Sequence, residues 1–315
     1  MTPLVQRAMQ VWGLEGAAAH LVARRENAVY RIEHAGRSYA MRLHRAHYRT
    51  DAELRSELVW MEALRKGGVS VPTPVPARSG ALLQTVDGVQ VDVLDWLQGE
   101  TLDTALERAS PVARLRLFEQ IGRQMAHLHE VCDLWQPPSG FTRARWDSDG
   151  LLGAAPLWDR FWENPALTHP QRAMFTQFRT DAGRALAALG PDADTGLIHA
   201  DLVAGNVMLD GAHMHLIDFD DGGTGYRLFD VATALFKHMD AADYSDLKRA
   251  LLAGYAARRA LNTEALDLFM ALRGVTYVGW NITRAGEDAS GARGARFIAQ
   301  AERAVRRFYE GSCHR

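Results

Sequence analysis

The segment "LIHADLVAGNVMLDGAHMHLIDFDD", residues 197–221, carries Asp201, Asp210, Asp218, Asp220 and Asp221, with Asn206 and three histidines, among Leu, Ile, Val and Met. Carboxylates are costly beside apolar segments unless strand ends hold them at a cleft, where a cation and a substrate compensate their charge. The stretch reads as two short strands around a loop, "LIHADL" leading in and "MHLIDFD" leading out. Asp201 and Asn206 are separated by four residues, and Asp218 stands twelve beyond Asn206. An Asp beside a substrate hydroxyl can accept its proton, while an Asn carbonyl and a second Asp can ligate Mg²⁺ through hard oxygens. Phosphoryl transfer needs those parts, and the order Asp, four residues, Asn, then a metal-binding Asp is the one kinase chemistry uses.

The elements that must position these groups follow from periodicity. Residues 1–97 read as a strand-rich lobe. "AVYRIEH" and "YAMRLHR" alternate around a Gly-containing turn, and "ALLQTV" and "VQVDVLDWL" flank an Asp-Gly turn. Between these pairs "DAELRSELVWMEALRKGG" places Leu54, Leu58, Met61 and Leu64 on one helical face, with Gly67 as its stop. Thr2 and Pro3 form a cap and first-turn pair for an amphipathic N-terminal helix. From residue 98 to 315 the pattern is helical. Ser110 caps a helix with apolar positions Val112, Leu115, Phe118, Ile121, Met125 and Leu128; another runs from about Pro170 to Leu189; roughly three more fill 241–311. Residues 133–166 form a Trp-rich insertion that holds four of the eight Trp of the chain. The expected class is α+β with two lobes: a small, mainly antiparallel β lobe with one helix, and a larger helical lobe.

Composition narrows the function classes. In 315 residues, 47% are hydrophobic and 23% charged, with a net charge of -2. That is ordinary globular usage with no bulk electrostatic case for nucleic acid or membrane binding. Cys132 and Cys313 show neither disulfide nor zinc spacing and suit a reducing compartment. With no secretory leader and no apolar run long enough to span a bilayer, the expected location is the cytoplasm.

"HADLVAGN", "IDFDD" and "GYRLFDVA" together resemble the aminoglycoside phosphotransferase and choline kinase superfamily. "IHADL" and "RENAVYRI" are most similar to homoserine kinase type II, and "AGN" with the paired Asp is similar to the stress response kinase A group. The likeness spans the lobe order, the "LDWLQGETL" connector, the helix ending "MAHLHE" and the catalytic segment. It implies an ATP-dependent kinase-like fold that transfers the γ-phosphate to a hydroxyl of a small molecule such as an amino alcohol, sugar or aminoglycoside. By the same resemblance Asp201 is the base, Asn206 and Asp218 hold Mg²⁺, Asp230 braces the catalytic loop, and His199 is a structural hydrogen-bonding residue. Arg42 takes the place of the phosphate-holding Lys, Glu57 is its helix partner, Asn27 lies within the segment standing for the phosphate loop and binds nucleotide, and the main chain of Asp95 and Leu97 meets adenine. Three features depart from the usual pattern: "ARRENAVYR" replaces a glycine-rich loop, Arg replaces Lys at position 42, and the metal motif is Asp-Phe-Asp.

Each assignment has a plainer counterpart. Arg42 shares its strand face with Ala40, which suits a phosphate contact, but an Arg on a strand can simply be solvated. Glu57 can be a surface charge. Trp162 and Trp280 with Arg284 are substrate-cleft candidates, yet aromatic residues on capped helices are also core. A cationic acceptor would favour Asp220, Asp221, Asp159 and Glu163, whereas an acceptor carboxylate would favour Arg227, Arg284 and Arg145. Asp220 can alternatively touch the metal. His213 and His215 share one strand face with His199 and Asp218 nearby, a pattern of metal-dependent hydrolases, but such barrels alternate strands and helices throughout. A kinase-like chain can also bind nucleotide without transferring phosphate; the presence of a base, both metal ligands and a cation argues against this. No Ala-Pro-Glu anchor follows Asp218, which disfavours a peptide acceptor.

Overall fold

The computed structural model describes residues 2–24, 27–191, 193–287 and 290–312. Arg25 and Glu26 of the "RENAVYRI" motif and Cys313 lie outside them. In chain order the elements are α1 (Pro3–Trp12), β1 (Ala18–Arg24), β2 (Asn27–His34), β3 (Arg37–His44), α2 (Asp51–Lys66), β4 (Leu83–Val86), β5 (Val89–Asp95), β6 (Glu100–Thr101), α3 (Leu102–Arg108) and α4 (Pro111–Leu134). There follow β7 (Ala144–Trp146), α5 (Ser148–Leu152), α6 (His169–Ala188), β8 (Thr195–Ile198), β9 (Val207–Asp210), β10 (His213–Leu216), β11 (Gly223–Tyr226), α7 (Arg227–Phe236), α8 (Tyr244–Ala256), α9 (Leu266–Trp280) and α10 (Ala292–Ser312). This is the expected α+β class. Two compact units divide the chain: Met1–Arg108 with Leu134–Arg143 and Ala204–Asp220, and Ala109–Asp133 with Ala144–Val203 and Asp221–Arg315.

In the first unit a five-stranded antiparallel sheet runs β1-β2-β3-β5-β4. Because strand side chains alternate, Tyr39, Met41 and Leu43 of β3 and Val91 and Val93 of β5 pack with Val5, Ala8, Met9 and Trp12 of α1. The opposite parity carries Arg42, His44 and Asp92, all buried. Helix α2 opens on a capping box between Thr50 and Glu53 and closes at Gly67. It buries the expected Leu54, Leu58, Met61 and Leu64, and also Glu57 and Trp60. Past the connector, Gly99 has φ +108, and a Cβ there would stand 1.9 Å from Leu209 O, so only glycine lets β6 pair with β9. β9 and β10 form a hairpin in register Leu216↔Val207.

The second unit is helical, with a small sheet ordered β7-β11-β8. Helix α9 is apolar on nearly every face and packs against α7 and α10, as expected of a central helix. Its Gly279 lies under the backbone of Trp158, where a Cβ would come within 2.0 Å of the carbonyl oxygen. Periodicity located α4, α6 and the late helices, but not edge strand β1, whose residues are mostly exposed. Val112, expected on the core face of α4, is 60% exposed because it falls in the first turn, beyond the packed face. Among the described residues no helix is long and apolar enough to cross a membrane.

Candidate active site

The phosphate-side candidates form a buried charge network in the first unit. Arg42 faces Asp92 directly across β3 and β5. Its guanidinium donates Nε to Asp92 Oδ1 and Nη2 to Asp92 Oδ2, each at 2.8 Å, while Nη1 reaches Glu57 Oε1 at 2.7 Å. His44 Nε2 lies 2.7 Å from Asp92 Oδ2. Burial opposes the charge on Arg42, Glu57 and Asp92. Arg42 and His44 nevertheless hold Asp92 far below the carboxylate range, Arg42 and Arg143 hold Glu57 below it, and the two carboxylates keep Arg42 strongly protonated. The expected Arg42–Glu57 pair is therefore present, and the guanidinium is not solvated. Asp92 was not foreseen; its signal was an acidic residue between Val91 and Val93 in β5.

At the open end of the β9–β10 hairpin, Ile217 N donates to Asn206 O at 3.0 Å, which draws together the backbones that carry Asn206 and Asp218. Asp218 has φ +64, a left-handed conformation that costs a non-glycine residue about 1 kcal/mol or more. Phe219 is fully buried, edge-on to Trp60 of α2 at 5.2 Å. An amide oxygen and a carboxylate are hard donors that suit Mg²⁺ completed by phosphate oxygens and water. Among the described residues no three of His, Cys, Asp and Glu gather as a self-sufficient metal site. His215 instead pairs through Nδ1 with Ser70 Oγ at 2.7 Å, and His213 is exposed. Asp220 is 8% exposed and its Oδ1 lies 3.3 Å from Arg49 Nε.

Asp201 lies in the second unit, after β8. Arg273 of α9 is fully buried; its Nη2 donates to Asp201 Oδ1 at 2.5 Å and to Tyr277 OH at 2.8 Å, and its Nη1 donates to Ala200 O at 3.1 Å. The guanidinium lies 4.3 Å from the Tyr277 ring centre and 4.9 Å from that of Trp158. Burial disfavours its charge, but Tyr277 and Asp201 outweigh that and hold it protonated. A lone Arg within "LFMALRGVTYVGW" was the sequence signal for this contact.

Asp230 sits beneath the loop, accepting His199 N at 2.8 Å and Ala200 N at 2.7 Å. That satisfies two backbone donors beside Ala200, whose φ is +63. His199 is itself fully buried. His129 Nε2 is 3.1 Å from Asp230 Oδ2, and its Nδ1 is 2.8 Å from Tyr255 OH. The Asp230 carboxylate can only accept, so Nε2 carries the proton and Nδ1 accepts from the tyrosine. Burial pushes His129 down to about 4 despite the Asp230 hydrogen bond. The unfolded chain therefore binds a proton between pH 4 and 6.5 that the folded chain does not, and stability should fall as pH is lowered through this window. One such group is worth about 3 kcal/mol at pH 4, at about 1.4 kcal/mol per pKa unit. Denaturant midpoints from pH 7 to 4 should fall for wild type and fall less steeply for His129→Gln; equal slopes would refute this source.

Two expected substrate residues are buried against the protein itself. Arg227 is 1% exposed, and its guanidinium donates to Leu197 O of β8 and pairs with Asp133 of α4. Trp162 is 8% exposed and packs on Arg179, whose guanidinium lies 3.9 Å from the ring centre. Trp280 and Arg284 are half-buried and stack on each other at 4.4 Å, with Arg293 also over the indole. Arg145 pairs with Asp147, and Glu163 with Arg160. Asp159 accepts from Arg160 N at 2.7 Å, and Asp221 O accepts from Trp146 Nε1 at 2.8 Å. In the connector, Asp95 N–H donates to Thr73 O and its carboxylate accepts from Arg37; Leu97 follows, half-buried. Asn27, also half-buried, opens β2 opposite His44.

The chain belongs to the phosphotransferase enzyme family, whose family model matches residues 20–266. It is 30% identical over 314 residues to an uncharacterised protein of Deinococcus radiodurans, covering 94% of this chain and 86% of that one. It is also 30% identical over 250 residues to the homoserine kinase of Mesorhizobium japonicum, covering 76% and 71%. Among solved structures, a microcompartment-associated aminopropanol kinase superposes with TM-score 0.81 at 30% identity, covering 96% of this chain and 94% of that one. The amicoumacin kinase in complex with AMP-PNP, Ca²⁺ and Ami superposes with TM-score 0.79 at 18% identity, covering 96% and 92%, and shares the fold.

Proposed function

We propose that the chain is an ATP- and Mg²⁺-dependent kinase that phosphorylates the hydroxyl of a small amino alcohol. The observation that carries this reading is the pairing of Asn206 and Asp218 by the Ile217–Asn206 hydrogen bond, in a chain whose Asp201 is held by a buried arginine. Asp201 would orient the acceptor hydroxyl and take its proton as the oxygen attacks the γ-phosphorus. Asn206 and Asp218 would hold Mg²⁺, which neutralises the phosphate charge. Arg42, already oriented by Glu57 and Asp92, retains terminal N–H groups for phosphate oxygens. Glu57 and Asp92 hold that guanidinium, the connector main chain of Asp95 and Leu97 receives adenine, and Asn27 lies on the nucleotide side. The amino-alcohol acceptor is supported by the names of two relatives of about equal identity, an aminopropanol kinase and a homoserine kinase. Trp280 with Arg284 is the remaining substrate-side candidate.

Chelation should abolish ATP turnover, and Mg²⁺ or Mn²⁺, but not Zn²⁺, should restore it. ATP consumption should rise with amino alcohols and stay at background with sugars and aminoglycosides. Undiminished turnover after chelation would overturn the metal assignment, and a response confined to aminoglycosides would overturn the acceptor.

A further inference from the structure

Arg143 belongs to none of the roles above. It lies in the segment Leu134–Arg143 of the first unit, and its side chain is 2% exposed. Its four terminal N–H groups are divided between two elements. Nη1 donates to Glu53 O at 3.1 Å and Glu57 Oε2 at 3.5 Å, both on α2. Nη2 donates to Phe219 O at 2.6 Å and Asp220 O at 2.7 Å, the two carbonyls that follow Asp218. Arg49 Nη2 reaches Asp220 O as well, at 3.0 Å. Thr142 N, one residue away, donates to Ser56 Oγ of α2 at 2.9 Å, so the segment itself is tied to the helix.

We infer that Arg143 is a positioning residue for the metal ligand Asp218, and that it joins the metal-side and phosphate-side groups into one unit. Glu57 places Oε1 on Arg42 and Oε2 on Arg143, so a single carboxylate links the two cations. The series Asp92, Arg42, Glu57, Arg143, then the 219 and 220 carbonyls is continuous through hydrogen bonds. Asp218 is held left-handed, and a conformation of that cost persists where neighbouring backbone is over-determined. Arg143 supplies that restraint on one side and the Ile217–Asn206 bond supplies it on the other. A planar fork reaches three carbonyls and a carboxylate at once; an ammonium at the same place keeps the charge and loses the geometry.

The inference rests on the metal reading of Asn206 and Asp218. Mn²⁺ affinity, measured by the electron paramagnetic resonance signal of free Mn²⁺ at saturating AMP-PNP, reads the effect without turnover. Wild type should bind Mn²⁺, and Asp218→Asn should lose it. Arg143→Lys should weaken Mn²⁺ binding about 10-fold and Arg143→Met up to about 100-fold, the range for residues that orient metal ligands. Thermal midpoints recorded alongside separate folding from positioning, and Arg143→Lys keeps the test open if Arg143→Met does not fold. Wild-type Mn²⁺ affinity in folded Arg143→Lys, with only a lowered midpoint, would overturn the inference. Tighter Mn²⁺ binding in Arg143→Met with none lost in Arg143→Lys would also overturn it, since charge alone would then be at work. Unchanged Mn²⁺ binding in Asp218→Asn would instead remove the metal reading beneath it.

Discussion

Asp201→Asn should lower kcat for phosphate transfer by about 10²- to 10⁴-fold, the range for loss of a general base. The substitution keeps the shape and one carbonyl oxygen for Arg273, whose Nη2 lies 2.5 Å from Asp201 Oδ1, so the loop should keep its position. Its backbone restraints, the two hydrogen bonds to Asp230, are not touched. What is lost is the negative charge that neutralises a fully buried guanidinium and that, in the proposed role, would accept the hydroxyl proton. ATP affinity, measured by equilibrium titration, should remain within a few-fold of wild type, because the deleted function acts on the acceptor. A mutant with near-normal kcat would sink the role given to Asp201.

Arg42→Ala should cost about 3–5 kcal/mol of folding stability, the usual penalty for breaking a buried ion pair from one side. It strands Asp92 and Glu57, both 0% exposed, without their shared cation. Arg42→Lys should not be benign either. The strand position suits Lys in resembling kinases, but here the side chain must give Nε and Nη2 to Asp92 and Nη1 to Glu57. One ammonium cannot reproduce that planar fork, and an under-satisfied buried carboxylate costs about 1–3 kcal/mol. Both variants should also bind ATP more weakly, Arg42→Ala more so, because the guanidinium orientation is lost. Denaturant unfolding midpoints and ATP titrations on the two proteins decide this. Wild-type midpoints for Arg42→Ala would mean that the network contributes nothing to the fold.

The architecture was readable because long amphipathic runs and alternating strands report burial directly. Parity of β3 put Arg42 on the face opposite Tyr39, Met41 and Leu43, whereas only the family resemblance singled out Glu57 as its helix partner; spacing alone left it a surface charge. Two elements of the first unit were not readable: β1 is an exposed edge strand without alternation, and α3 spans only Leu102–Arg108. The catalytic segment supplied its own spacing, but its supports come from afar. Asp92 is 50 residues from Arg42, Arg143 is 86 from Glu57, and Arg273 is 72 from Asp201. Local periodicity carries no information on such pairings; it could flag them only as charges set in apolar surroundings. The same blindness explains Arg227, which follows the loop as a substrate-binding cation would, yet is spent on Leu197 and Asp133.

In the proposed reaction the γ-phosphate of ATP passes to an alcohol. Phosphorus-31 NMR of the protein with ATP, Mg²⁺ and either aminopropanol or homoserine tests it most directly. The account predicts loss of the γ-phosphate resonance, growth of ADP and appearance of a phosphate monoester resonance distinct from inorganic phosphate, all absent with Asp201→Asn. ATP left intact with both acceptors and with a wider panel of amino alcohols, or cleaved only to inorganic phosphate, would contradict it.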